Sequence, residues 1–195
     1  MVSKIPASLE QRSVLEAAQR VDVSQSLPAW GKQGVVAYTD GACLNNPGGP
    51  AGWSALLWAA SDVLSGKVRP GALSLACFGH IPKSPTTTNN RAEMSAVLAV
   101  LSVVPPELSL TIHSDSQYTI NVALGKWKMK KNADLWKWYH DLIARRKTAP
   151  IFHWVQGHAG HDQNVMADQL AGIAARNGGA AAYEHWQKSK EPDPL

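Results

Sequence analysis

Tyr38-Thr39-Asp40-Gly41-Ala42-Cys43-Leu44-Asn45-Asn46-Pro47-Gly48 is the stretch on which the fold turns. It ends a run of strand formers that begins at Val35 on a carboxylate, then breaks into Gly, Asn and Pro, the residues of tight turns. The pattern predicts a strand with Asp40 at its end and a loop that can approach a ligand closely. An Asp before a Gly is also an ordinary turn residue satisfied by its own backbone, so the segment alone leaves both readings open.

Working downstream, the strand pattern recurs at Trp53 to Ala59 and at Leu73 to Phe78, with Gly, Pro, Ser and Asp clusters between them that read as hairpin turns. Three strands without an intervening helix predict an antiparallel meander. After Asn90, a stripe of Met94, Leu98 and Leu101 with Val97, Val100 and Val104 beside it predicts a helix, stopped by Pro105-Pro106. A strand at Leu108 to Ser114 follows, then helices at about Ser116 to Leu124 and Asp134 to Arg145. A strand at Ile151 to Gln156 and a helix at about Asn164 to Arg176 complete the order. The succession β-β-β-α-β-α-α-β-α predicts an α/β domain with a mixed sheet flanked by helices.

Upstream, Ser8-Leu9-Glu10-Gln11 has the form of a capping box, and Leu9, Val14, Leu15, Ala18 and Val21 recur at helical spacing, predicting a short amphipathic helix over 9–20. A polar link from Ser24 to Gly34 follows it. The tail from Gly178 to Leu195, with Pro192 and Pro194, has no periodicity and is expected to fray. The expected organisation is an extension (1–34), one folded domain (35–177) and a tail (178–195).

A chain of 195 residues suits one domain with a sizeable core. Its net charge of +4 and pI near 9.1 favour a polyanionic partner without proving one. Cys43 and Cys77 are the only cysteines, without CxxC spacing, which fits a reducing cytoplasmic setting and offers no sulfur-based metal site. Both read as small packing residues. No window approaches the roughly 20 apolar residues a membrane helix needs.

Three further carboxylates stand in specific settings: Glu93 in Thr86-Thr87-Thr88-Asn89-Asn90-Arg91-Ala92-Glu93, Asp115 in Ile112-His113-Ser114-Asp115-Ser116-Gln117-Tyr118, and Asp168 at the end of the segment Gly157 to Asp168, which opens Gly157-His158-Ala159-Gly160-His161. At these residues and at Asp40 the chain resembles the type 1 ribonucleases H, with four motifs in the family's order from about Val35 to about Arg176. The resemblance implies the ribonuclease H-like fold, a five-stranded mixed sheet flanked by helices, with residues 35–177 as the catalytic domain. It also implies endonucleolytic hydrolysis of the RNA strand of RNA–DNA hybrids, leaving 5′-phosphate and 3′-hydroxyl ends.

Each carboxylate taken singly has a structural reading as well. Asn90-x-x-Glu93 fits a capping arrangement, and Asp168 lies in the first turns of a predicted helix, where the macrodipole favours negative charge. The set is sharper than its members: four carboxylates cannot all stay ionised together unless cations compensate them, and without thiolates those cations are hard, oxygen-loving divalent ions. Magnesium is expected, with manganese as a substitute. Two such ions about 4 Å apart lower the pKa of an attacking water and stabilise the leaving oxygen. The resemblance assigns Asp40 to bridge both, Glu93 and Asp115 to the nucleophile side, and Asp168 to the other ion. It makes His158 a mobile histidine that assists proton transfer or product release. A zinc reading of His158 and His161 has no cysteine to support it.

The resemblance places Asn46, Asn89, Asn90 and Gln117 beside the carboxylates, where amides can read the 2′-hydroxyls of RNA. Thr88 and Asn132 match positions that hold a DNA phosphate in relatives. The chain departs from well-known bacterial members in its crossing from Gly125 to Asn132, which lacks most of a basic protrusion. Lys126, Trp127, Lys128, Lys130 and Lys131 still form a short basic-aromatic patch, with a solvated loop as the alternative. Weaker hybrid binding than in relatives with the full protrusion is expected. Trp136, Trp138, Tyr139 and Trp154 lie in predicted elements and read first as packing residues. The competing readings are a DNA-processing nuclease of the same fold and a non-catalytic hybrid-binding module. No dimerisation stripe stands out, so a monomer is expected.

Overall fold

Nine consecutive residues, Ala51–Ala59, are all buried, and no single-faced strand can show that pattern. This strand, β2, and its neighbour β1 (Val35–Cys43) are covered on both faces, which is why their sequences read as nearly unbroken apolar runs. The computed structural model describes Trp30 and residues 33–72, 75–157 and 162–177. The expected helix over 9–20 and the expected tail lie outside them.

The remaining elements are β3 (Val63–Leu64) and β4 (Lys67–Val68), β5 (Leu75–Ile81), helix α1 (Asn89–Val103), β6 (Leu110–Ser114), helices α2 (Gln117–Ala123) and α3 (Ala133–Ile143), β7 (Ile151–Trp154) and helix α4 (Asp162–Asn177). The five-stranded sheet has the order β5-β2-β1-β6-β7. The first three strands pair antiparallel, and β6 and β7 add in parallel beyond β1. This is the predicted mixed sheet with helices on both faces. The small β3–β4 hairpin was not expected; it turns at Ser65 and Gly66, both with positive φ, inside a segment whose turn residues concealed two short paired stretches.

One face of the sheet buries Ala37, Trp53, Leu57 and Ile112 against Met94, Val97 and Leu98 of α1, with Leu135, Trp136 and Tyr139 of α3 packed on the same core. The other face packs Val36, Tyr38, Leu56 and Trp58 against Ala167, Leu170, Ile173 and Ala174 of α4. Both apolar stripes predicted for α1 are buried, because sheet and α3 enclose it. Val104 ends α1 in extended backbone, as a residue before proline must.

The strands differ from expectation at their ends. β1 does not stop near Asp40: Asp40 pairs with Ser54, Gly41 with Trp53, Ala42 with Gly52 and Cys43 with Ala51. The third strand lies at Leu75–Ile81, later than predicted. Gly41 and Gly52 read as turn formers but serve as approach points for helices. A Cβ on Gly41 would stand 2.3 Å from the Glu93 nitrogen of α1, and one on Gly52 would stand 2.2 Å from the Ala171 oxygen of α4. Both neighbours are helix backbone and cannot give way cheaply. Gly52→Ala is therefore expected to cost about 2–3 kcal/mol, with unchanged spectra of the folded state, as read by denaturant unfolding.

Candidate active site

The helix approaches set by these glycines bring the carboxylates together. Side chains alternate along β1, so Asp40 shares the α4 side of the strand with Val36 and Tyr38. Its ladder partner Ser54 donates from Oγ to the carbonyl of Ala167 at 2.7 Å, tying α4 to the sheet one residue before Asp168. Glu93 comes from the first turns of α1 where that helix rests on Gly41. Asp115 follows the last residue of β6, the strand beside β1. One carboxylate oxygen from each of Asp40, Glu93 and Asp115 lies within 4.8 Å of the others. Asp168 is half-buried on α4, near enough for its charge to act on Asp40.

Asp40 and Glu93 are each only 4% exposed. Burial first, then the charges of Asp115 and Asp168, push the Asp40 carboxyl up to about 8, against an opposing hydrogen bond of 2.7 Å from the Gly41 N–H. Burial, Asp40 and Asp115 raise Glu93 well above the ordinary carboxylate range. Glu93 Oε2 is buried with no hydrogen-bond partner among the described residues, while Oε1 accepts from Asn89 Nδ2 at 3.4 Å. An orphaned carboxylate oxygen facing two other acids is the arrangement a divalent cation relieves. The residues present fit such an ion.

Glu93 is not a capping residue. Thr88 is the N-cap, its hydroxyl accepting from the Arg91 N–H at 3.3 Å, so the cap lies two residues before the Asn90 that the capping pattern requires. Gly157 adjoins the centre as well, since a Cβ there would stand 2.8 Å from Asp115 Oδ2. His158 lies outside the described residues.

The polar residues expected to meet nucleic acid form a rim beside the acids. Asn46 Oδ1 accepts from the Asn89 N–H at 3.1 Å, and the Gly48 N–H donates to the Thr87 carbonyl at 2.9 Å, so the loop after β1 is fastened to the start of α1. Asn90 and Gln117 are exposed, and Gln117 opens α2 next to Asp115. Asn132 sits in left-handed backbone at the head of α3 and accepts from Arg91 Nη1 at 3.2 Å. The Arg91 guanidinium also forks onto both oxygens of Asp134, which holds that carboxyl below its ordinary range. This buried cation in the first turn of α1 thus anchors the far end of the basic loop.

Between α2 and α3 no helix forms, and Lys126, Trp127, Lys128, Lys130 and Lys131 are all exposed. The loop is pinned at both ends: the Lys126 and Trp127 N–H groups donate to the Asn121 carbonyl, and Tyr118 OH donates to the Lys131 carbonyl. Trp136 and Tyr139 pack in the core and Trp138 is partly buried against it, as expected. Trp154 does not. It lies on an edge strand, half its surface is exposed, and its Nε1 donates to the Asp115 backbone carbonyl at 3.2 Å.

A mixed sheet of this order, with buried acids gathered where β1, β6 and α1 meet, defines a hydrolase of the nuclease class with an acidic, metal-accepting centre. The RNase H family profile matches residues 32–176. The ribonuclease H of Rhodopseudomonas palustris strain TIE-1 is 38% identical over 157 residues, covering 70% of this chain and 86% of that one. The ribonuclease H of Paramagnetospirillum magneticum is 39% identical over 155 residues, covering 72% and 90%. In structure, LC11-RNase H1 in complex with an RNA/DNA hybrid superposes with a TM-score of 0.56 at 20% identity, over 72% of this chain and 96% of that one. The chain belongs to the ribonuclease H family.

The crowded acids carry a cost that pH controls. Because the folded state holds a proton on Asp40 that the unfolded chain releases above about pH 4, stability without cations falls as pH rises from that range toward about 8. Asp40→Asn cannot ionise. In chelator at pH 8 it is expected to unfold on the order of 2 kcal/mol later than wild type, roughly 4–8 °C, with the two converging near pH 4. Thermal scans across that pH range test this.

Proposed function

We propose that this chain hydrolyses the RNA strand of RNA–DNA hybrids as an endonuclease, with residues 35–177 carrying the activity. The observation that supports this most directly is the buried group of Asp40, Glu93 and Asp115, with Asp168 beside it, in a chain 38% identical to a curated ribonuclease H. When bound, two magnesium ions, or manganese in their place, supply an activated water and charge stabilisation of the leaving oxygen, giving 5′-phosphate and 3′-hydroxyl products. Asp40 would contact both ions, Glu93 and Asp115 the one on the nucleophile side, and Asp168 the other. His158 would shuttle the proton to the leaving group.

Substrate choice falls to the rim. Asn46, Asn89, Asn90 and Gln117 present amides and backbone beside the acids, suited to 2′-hydroxyls in a shallow minor groove. Thr88 keeps its hydroxyl proton for a phosphate oxygen while its lone pair caps α1. Asn132 would take a second phosphate contact, and Lys126, Trp127 and Lys128 a third region of backbone. The protein would act as a monomer in the cytoplasm; among the described residues no helix is long and apolar enough to cross a membrane, and Cys43 and Cys77 are unpaired.

Cleavage of hybrid RNA, labelled on that strand, is expected only with magnesium or manganese, and is expected to fall at least 1,000-fold in Asp40→Asn, on the order of 4 kcal/mol of transition-state stabilisation. DNA duplex, RNA duplex and single-stranded RNA should stay intact. An uncut hybrid that is nevertheless bound would support the binding-module reading, and cut DNA the DNA-processing one. Removing Lys126 and Lys128 together is expected to weaken hybrid binding across sequences and to lower the slope of log affinity against log salt by about 2. Binding measured from low to moderate salt checks that number.

A further inference from the structure

Trp154 is an exposed aromatic bonded to the backbone of one of the clustered acids, and packing does not account for it. As the last residue of the edge strand β7 it stands opposite Ser114 of β6, yet half its surface meets solvent. Its one polar atom is committed: Nε1 reaches the carbonyl of Asp115 at 3.2 Å. The following residue continues the grip, with the Val155 N–H donating to the Ser114 carbonyl at 3.0 Å. On the other side the Ser116 N–H donates to Ser114 Oγ at 3.1 Å. Asp115 is the residue at which β6 has ended and α2 has not begun. Three residues after Trp154, Gly157 leaves the space that Asp115 Oδ2 occupies. The segment Trp154–Gly157 thus holds the Asp115 backbone with an indole N–H and clears room for its carboxylate with a missing Cβ.

We propose that Trp154 is a positioning residue for Asp115, acting through the indole N–H on the Asp115 carbonyl to set that carboxylate for a divalent cation. The inference rests on the reading of Asp115 as a metal ligand. Glycosidic or phosphoryl contact by Trp154 is not required; the residue works through a backbone atom, as outer partners of metal ligands do. The N–H and the ring bulk separate cleanly by substitution, since Trp154→Phe keeps an aromatic ring on the edge strand and removes the donor.

The test is manganese binding to metal-free protein by calorimetry, with hybrid binding in chelator measured in parallel. Wild type, Trp154→Phe, Trp154→Ala and Asp115→Asn are compared, each checked for unchanged circular dichroism. The expected result is that Trp154→Phe and Trp154→Ala both bind manganese about tenfold more weakly than wild type, while hybrid affinity in Trp154→Phe stays within about twofold. Wild-type manganese affinity in Trp154→Phe overturns the inference, as does a loss confined to Trp154→Ala, which would make the ring and not its N–H responsible. Manganese affinity unchanged in Asp115→Asn overturns the metal-ligand reading itself, and the inference with it.

Discussion

Mutual repulsion among buried carboxylates is the constraint on which the rest of this structure is built. Asp40 and Glu93 are almost wholly removed from water, and Asp115 brings a third oxygen within 4.8 Å of theirs. Unpaired burial of one ionised carboxylate is already expensive, and close like charges add to it. A protein tolerates that only if surrounding packing over-determines the positions of the acids. Here the two longest strands are sandwiched between helices along most of their length, and the acids lie toward one end of that sandwich. Stability is concentrated in the layers on either side, and the acidic centre draws on it.

Close approach is what makes the layers converge. Gly41 admits α1 on one face of the sheet, Gly52 admits α4 on the other, and Gly157 admits the carboxylate of Asp115. Each would place a Cβ under 3.0 Å from a neighbour, and for two of them that neighbour is helix backbone. The missing side chains therefore act at three separate contacts of one site. Ser54 complements Gly52 two residues along the same face, replacing contact with a hydrogen bond to the α4 backbone. Small residues on β2 thereby set the height of α4, and with it the distance from Asp168 to Asp40.

Much of this was legible in the sequence, and the failures have physical causes. Stripes such as Met94, Leu98 and Leu101 announce a helix because burial on one side is periodic, and they lie where expected. The end of β1 lies beyond where the sequence predicts it because Gly41 carries the same letter whether it makes a turn or accommodates a helix; only the partner strand distinguishes the two. Glu93 could be read as a cap from local spacing, but Thr88 already holds the extended backbone of an N-cap, so the glutamate is spared for the centre. By sequence Trp154 reads as a packing residue because strand aromatics usually belong in the core, whereas β7 is an edge strand and leaves the ring half in solvent. Asp168 is legible only through the family motif, and its influence on Asp40 depends on a helix packing that no local pattern encodes.

The basic loop places exposed charge beside the core without burdening it. Its lysines point into solvent, where their charge costs nothing in folding, but its backbone is fastened to α2 at one end and, through Tyr118 and Trp136, to the core at the other. Arg91 then fixes Asn132 just beyond, from a helix turn that also carries Asn89 and Glu93. Asn132 and Glu93 are thus both referred to one element, α1. A polyanion bound along the loop would be registered against the acidic centre by that helix. Lysine charge supplies attraction without direction, so any register must come from the anchoring of the loop at its two ends.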